Sequence, residues 1–262
     1  KLFFGDTMLS INSTNSCASC HLDKFSSADG LPNAVGVGGT GEGLERAMTE
    51  GKIVPRNTLP LWGRGSKNFK TFFWDGKVTE VDGVVRSQLG VLTEEYINAD
   101  GRYSLDNTPS FDPLITAIHL PFVEIRELVI DDDSIKQYFK HENEEAALSL
   151  YNVLVKRVAT NDLYVEKIKE IYDIKPEHIE FRHIVEPIAH FVKDKFKIKN
   201  TKFHDFVFNN GELTDKEIRG GLIFYGKGSC SSCHSGAMFS DQNFHTVHYN
   251  QAGFGKNGFG ID

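Results

Sequence analysis

The sequence predicts a mostly helical fold with few short strands, organised in two halves. Three observations predict it. Apolar residues recur at helical spacing through the stretch from about 131 to 200, strand-like alternation is scarce and brief, and all four cysteines fall in two identical spacings near opposite ends. On this pattern an N-terminal unit covers 1–130, a helical connection covers 131–200, and 201–262 begins a C-terminal unit.

The cysteine spacings are the most specific signal. Cys17-Ala18-Ser19-Cys20-His21 and Cys230-Ser231-Ser232-Cys233-His234 both read C-x-x-C-H, the attachment signature of c-type haem. Two thioether bonds fix the porphyrin on one short turn, and that turn presents the adjacent histidine to the iron. A zinc site would need its cysteine pairs roughly 15–20 residues apart. A redox cysteine pair does not explain a histidine following both times. The expected cofactors are therefore two covalent c-type haems, attached at Cys17 and Cys20 and at Cys230 and Cys233. His21 and His234 are the expected iron ligands. Such thioethers are made outside the bacterial cytoplasmic membrane, so the expected location is periplasmic or at the cell surface.

Each element follows in chain order. Residues 1–30 read as a short amphipathic entry, the first haem turn and a polar exit. Val35 to Gly43 formally contains G-x-G-x-x-G, but no strand pattern precedes it and no phosphate-loop Lys-Ser/Thr follows. It is expected to be a flexible loop over the haem. Residues 52–130 are rich in Gly, Pro, Asn and aromatics, without sustained periodicity. Ile135, Phe139, Ala146, Leu150, Leu154 and Val158 then recur on one helical face. Further helices are expected near 163–172 and from about Glu177 to Phe196, the latter kinked or divided at Pro187. Thr214-x-x-Glu217 is a capping box opening a helix that runs into the second haem turn.

Composition bounds the function. The chain has 262 residues, enough for two units with their own cores, and a net charge of −7 argues against a phosphate-backbone binder, so no nucleic-acid partner is expected. No apolar run reaches the roughly 18 residues of a membrane span.

The motifs carry a family resemblance. Leu2-Phe3-Phe4-Gly5-Asp6-Thr7-Met8-Leu9-Ser10 before the first C-x-x-C-H resembles the opening of the bacterial di-haem cytochrome c peroxidases, a superfamily that includes di-haem tryptophan-oxidising enzymes. Arg56-Asn57-Thr58-Leu59-Pro60-Leu61 and Phe73-Trp74-Asp75-Gly76-Lys77 are similar to the family's RN-x-P-x-L and FWDGR. Gly221-Leu222-Ile223-Phe224 and Cys233-His234-Ser235-Gly236 are similar to its second-haem motifs. The resemblance implies two cytochrome c-like haem domains joined by long helices. It makes His21 the proximal ligand of a peroxide-reactive haem and His234 that of an electron-relaying one.

Peroxide cleavage needs a nearby acid–base group. The resemblance places it at Glu127, within Pro121-Phe122-Val123-Glu124-Ile125-Arg126-Glu127-Leu128. The commoner family spacing lands on Glu94, and Glu127 is preferred because Arg86-Ser87-Gln88-Leu89-Gly90 looks like the start of an insertion. Trp74 is either a core aromatic or, as in the family, an electron carrier between haems. Trp62 has no motif and is expected in the core. Asn57 matches a family ligand of a calcium ion, with the remaining ligands falling beyond residue 262. No histidine lies between His21 and His119, so an open first haem is expected. His119, His141, His178, His183, His190 and His204 are read as structural or surface. Met238, His245, His248 and Tyr249 remain candidates for the sixth ligand of the second haem. Only 28 residues follow His234, so either the sequence is a fragment or that haem is completed differently.

Three functions are compatible with these residues. The first is a peroxidase reducing hydrogen peroxide to water with electrons from a small cytochrome c or copper protein. The second is a related enzyme oxidising side chains of a partner protein. The third is a non-enzymatic electron-transfer cytochrome within a surface complex.

Overall fold

The computed structural model describes residues 1–87, 90–91, 112–130 and 144–246. Helix outweighs strand, 44% against 8%, as the periodicity predicts. Glu94, His141, His248 and Tyr249 lie outside the described residues.

The helices form because their apolar residues share a face and their first turns are capped. α1 (Leu2–Gly5) is one turn that buries Phe3 and Phe4, and α2 (Leu44–Ala47) is another single turn. α3 (Pro113–His119) has Pro at its first position and Asp112 as cap, whose carboxylate accepts from Leu114 N at 2.9 Å. α4 (Glu144–Ala159) buries Leu150, Leu154 and Val158 at i, i+4 and i+8. α5 (Asp162–Tyr172) is capped by Asn161 and presents Tyr164 and Ile168 inward.

α6 (Arg182–Lys195) runs through Pro187 undivided, so of the expected kink or division the division does not occur. Proline costs the helix one hydrogen bond, but Ile184, Val185, Ile188, Ala189 and Val192 are all buried on this helix. Each such side chain contributes on the order of 1.5–3 kcal/mol by leaving water, enough to outweigh one lost bond.

The stretch from 144 to 195, expected to connect two halves, packs into the same core as residues 3–129. Phe3 stacks on Tyr164 with ring centroids 4.4 Å apart, and Phe4 lies 4.9 Å from Phe191. Arg157 of α4 donates to the carbonyl oxygens of Met8, Ser10 and Ile11 at 2.5, 2.8 and 2.9 Å. The segment entering the first haem turn is thus held against the helices from both sides. Trp62, expected in the core, is instead 42% exposed, with its ring set edge-on to Phe196 at 5.7 Å.

Four short strands form one antiparallel sheet in sequential order: β1 (Thr71–Phe72), β2 (Val78–Val81), β3 (Val84–Ser87) and β4 (Gly90–Val91). Val81 pairs with Val84 across Asp82-Gly83, both at positive φ (53° and 79°). That is the backbone a two-residue hairpin turn needs. Val78 and Val85 are buried on one face of this sheet. The Phe73–Lys77 motif is the loop joining β1 to β2, where Phe72 pairs with Val78.

Downstream, α7 (Lys202–Phe208) and α8 (Asp215–Leu222) lead to the second haem turn. The Thr214–Glu217 capping box is present in full. One contact of this segment with the rest of the molecule is beside β1, where Gln242 Oε1 accepts from the backbone N–H of Lys70 and Thr71 at 2.9 and 3.1 Å. Phe208, Leu222, Tyr225 and Phe244 are more than half exposed. Among the described residues no helix is long and apolar enough to cross a membrane.

Candidate functional site

The two C-x-x-C-H turns fold alike. Cys17–Ser19 forms a single tight turn, and His21 N donates to Cys17 O at 2.9 Å. Cys230–Ser232 does the same, with His234 N donating to Cys230 O at 2.9 Å. No cysteine is in a disulfide. In each turn the histidine is oriented by its Nδ1. His21 Nδ1 bonds Ser27 O at 2.9 Å and His234 Nδ1 bonds Phe239 O at 3.0 Å. That bond fixes the proton on Nδ1 and leaves Nε2 as the free lone pair a metal needs. Both acceptor residues hold positive φ, 64° at Ser27 and 50° at Phe239. Two non-glycine residues in this region mark a backbone shaped to deliver those carbonyls.

The first turn is deeply set. Burial pushes the Cys17 thiol up to about 12 and Cys20 to about 11, with Glu127 adding to both. Burial likewise lowers the pKa of His21. Yet Cys17, Cys20 and His21 each keep some accessible surface. Side chains crowded by protein that still touch solvent line a concavity. The second turn is shallower. A cavity of about 350 Å³ is lined there by Cys230, Cys233, His234, Asp241 and His245, among others. Both sets therefore fit c-type haem: two thiols and one pre-oriented imidazole facing open space.

Glu127 lies close enough to the first turn to act on both of its cysteines. Its carboxylate is raised to about 7, chiefly by burial, then by Glu124, with Lys77 pulling the other way. Its backbone is tied to the haem turn from several sides. Asn15 Nδ2 reaches Glu127 O at 3.5 Å, Ile11 N donates to Leu128 O at 3.0 Å, and Val37 N donates to Arg126 O at 2.9 Å. Gly36 is required here: a Cβ at that position would sit 1.8 Å from Arg126 O. Glu124, three residues before, is ion-paired with Lys77 of the β1–β2 loop.

Trp74 is not a core aromatic. It is 51% exposed, and its indole N–H donates to Asn57 O at 3.3 Å. Its loop also meets the second centre, since a Cβ on Gly76 would lie 2.7 Å from Phe244, the neighbour of His245. Asn57 thus sits beside Trp74. Among the described residues no group of three or more His, Cys, Asp or Glu side chains could hold a metal ion. His245 Nε2 pairs with Asp241 at 2.8 Å, and Met238 packs near Gly63 and Ile198. His119 and His183 are buried in the core, while His178, His190 and His204 are exposed.

Arg46 was not singled out by sequence. It is 2% exposed and pins the Gly-rich loop, donating to Val35 O at 2.6 Å, Gly39 O at 2.8 Å, Gly36 O at 3.0 Å and Asn15 Oδ1 at 3.2 Å. The loop expected to be flexible is therefore cinched around a guanidinium. The available signal was an arginine just beyond a run of glycines, whose bare carbonyls are accessible acceptors.

Two pre-oriented histidines, each behind a paired-cysteine turn, with a buried carboxylate beside the first, fit the class of di-haem proteins. The family model described as di-haem cytochrome c peroxidase matches residues 1–212, and the chain belongs to that family. The family carries two c-type haems and acts with peroxide. Among solved structures, the chain is similar to a MauG-like protein associated with microbial copper homeostasis. That match has 20% identity and a TM-score of 0.55, covering 92% of this chain and 51% of that one. It is also similar to the diheme peroxidase BthA from Burkholderia thailandensis, at 18% identity and a TM-score of 0.53, covering 91% and 51%. The chain spans about half the length of these structures. No curated protein sequence matches it.

Proposed function

We propose that this chain reduces hydrogen peroxide to water, taking two electrons and two protons per peroxide, with the electrons supplied by a small cytochrome c or copper protein. The observation that carries the reading is Glu127, a crowded carboxyl held near neutrality beside Cys17 and Cys20. A general acid–base group works best when its pKa lies near the operating pH, because it must both accept and return a proton. Glu127 would take the proton from the peroxide oxygen nearer the site and deliver it to the departing one. Bound haem supplies the electron chemistry of O–O cleavage.

The other residues divide the remaining tasks. Cys17, Cys20, Cys230 and Cys233 would hold the two porphyrins, and His21 and His234 would ligate iron through Nε2. Trp74, lying between Asn57 and the Phe244 contact, would pass electrons from the second centre to the first. Asn57 would contribute its side-chain carbonyl to a calcium ion, a hard cation that suits oxygen donors. The proposed site of action is the periplasm or cell surface, where c-type haem is attached.

The test is peroxide-dependent oxidation of a reduced small cytochrome c by the chain carrying both haems. Intact mass under denaturing conditions should exceed the polypeptide by two haem units. Peroxide consumption coupled to side-chain oxidation in a partner protein, with no turnover of reduced cytochrome, would replace this reading by the partner-oxidising one. A protein with two low-spin haems and no peroxide turnover would be an electron-transfer cytochrome.

A further inference from the structure

Among the described residues Arg46 forms no ion pair. Its four hydrogen bonds go to three backbone carbonyls and the side-chain oxygen of Asn15. Among the described residues no carboxylate lies within ion-pair distance of it. A buried cation without a counter-ion is costly and is normally paired. Five donors in a fixed fork could organise a glycine loop, but the same loop could close on a neutral side chain at lower desolvation cost. A buried charge without an ion-pair contact therefore calls for a role of its own.

Its position supplies one. Val35 O accepts from Arg46 Nε at 2.6 Å and also from the Cys20 sulfur, at 3.9 Å. The guanidinium and the second attachment sulfur of the first haem turn thus share one carbonyl. Asn15, two residues before Cys17, holds the far side of the fork. The other charged groups near Cys20 are the carboxyls of Asp29 and Glu127. Arg46 is the cation in that set.

We propose that Arg46 is a positioning residue that raises the reduction potential of the first haem. It does so by placing a fixed positive charge beside the Cys20 attachment point, while the loop it cinches keeps water away from that charge. Reduction adds one electron to the haem, so a nearby cation favours the reduced form. In a low-dielectric interior that effect reaches beyond contact distance. The inference rests on a haem being carried at Cys17 and Cys20.

Spectroelectrochemical titration of the chain with both haems bound, following each haem by its own bands, tests it. Arg46→Gln should shift the first haem's reduction equilibrium toward the oxidised form by about tenfold, which is ~59 mV for one electron. The second haem should not move. Arg46→Lys, which keeps the charge but loses the fork, should stay within about threefold of the parent. Asn15→Asp keeps Arg46 and supplies the missing counter-charge, so it should reproduce the Arg46→Gln shift even if that variant fails to assemble. The proposal is overturned if Asn15→Asp leaves the first haem within about twofold of the parent. It is equally overturned if both haems shift together, which would mark general loosening. A chain showing no first-haem wave at all overturns the haem assignment itself, a result distinct from an unshifted wave.

Discussion

Lys77 and Glu124 form an ion pair across 47 positions of sequence. It ties the hairpin loop that carries Trp74 to the segment that carries Glu127. Both partners keep partial solvent exposure, so the pair adds little to stability. Its consequence is electrostatic: Glu124 pushes the Glu127 pKa up and Lys77 pulls it down. Lys77→Met should move the alkaline onset of peroxidase activity to higher pH, because Glu127 then holds its proton longer. Glu124→Gln should move it to lower pH. Shifts in the same direction for both variants would mean the pair does not act through Glu127.

Glu127 itself should be the most sensitive position outside the haem ligands. Glu127→Gln should keep both haems and slow peroxide-dependent turnover by about 10²-fold or more, the scale of a lost general acid–base group. In the parent, activity should rise with pH through about 7 as the carboxyl ionises. The variant's pH–rate profile should lack that inflection. Glu94→Gln should have little effect, and a crippled Glu94 variant would return Glu127 to an ordinary carboxylate.

Trp74→Phe offers a clean test of electron relay because the ring is half exposed and carries little core packing. Stability and haem content should match the parent, with only the single Trp74–Asn57 hydrogen bond lost. After peroxide addition in rapid mixing, the second haem's absorption should change much more slowly. An unchanged rate would show that electrons travel by another route.

Acid should destabilise the core through His119. Burial lowers its imidazole to about 4, from an ordinary 6.5. His119 Nδ1 bonds Ile115 O at 2.8 Å, and the ring lies against Tyr151 and Phe181. The neutral form is the folded form, so the unfolded chain binds the extra proton. Stability is full above pH 6.5 and falls as pH drops toward 4, by up to ~3 kcal/mol from this residue. Near pH 5, His119→Gln should reduce the protons taken up on unfolding by about one, as read from the pH dependence of urea midpoints. An unchanged uptake would place the acid sensitivity elsewhere.

The parts of this molecule legible in its sequence are those encoded by local spacing. The C-x-x-C-H turns, the Thr214–Glu217 capping box and the buried face of α4 each depend on residues within a few positions of one another. The sheet was not legible, because strands of two to four residues are too short to show alternation. Pro187 does not divide α6, because tertiary burial along that helix offsets the lost hydrogen bond. Trp62 misled because residue type says how much a ring could bury, not whether a partner surface exists. Glu127 was nominated by motif, but its raised pKa arises from its burial in the folded chain and from Glu124, against the opposing pull of Lys77. Arg46 was invisible because its acceptors are backbone carbonyls, which every sequence contains.

The junction at Gln242 has a consequence for kinetics. The segment around the first C-x-x-C-H turn is stitched into the helical core by Arg157 and Arg46, whereas the chain carrying the second meets an edge strand through Gln242, whose side chain and backbone carbonyl both accept hydrogen bonds there. Tunnelling rates fall exponentially with separation, so the span between the two redox centres is a rate-setting dimension. The Gln242 contacts at Lys70 and Thr71 would help set that dimension, away from both C-x-x-C-H turns. Substitutions there could lengthen or shorten the electron's jump while leaving each haem pocket chemically intact, making throughput adjustable independently of peroxide chemistry.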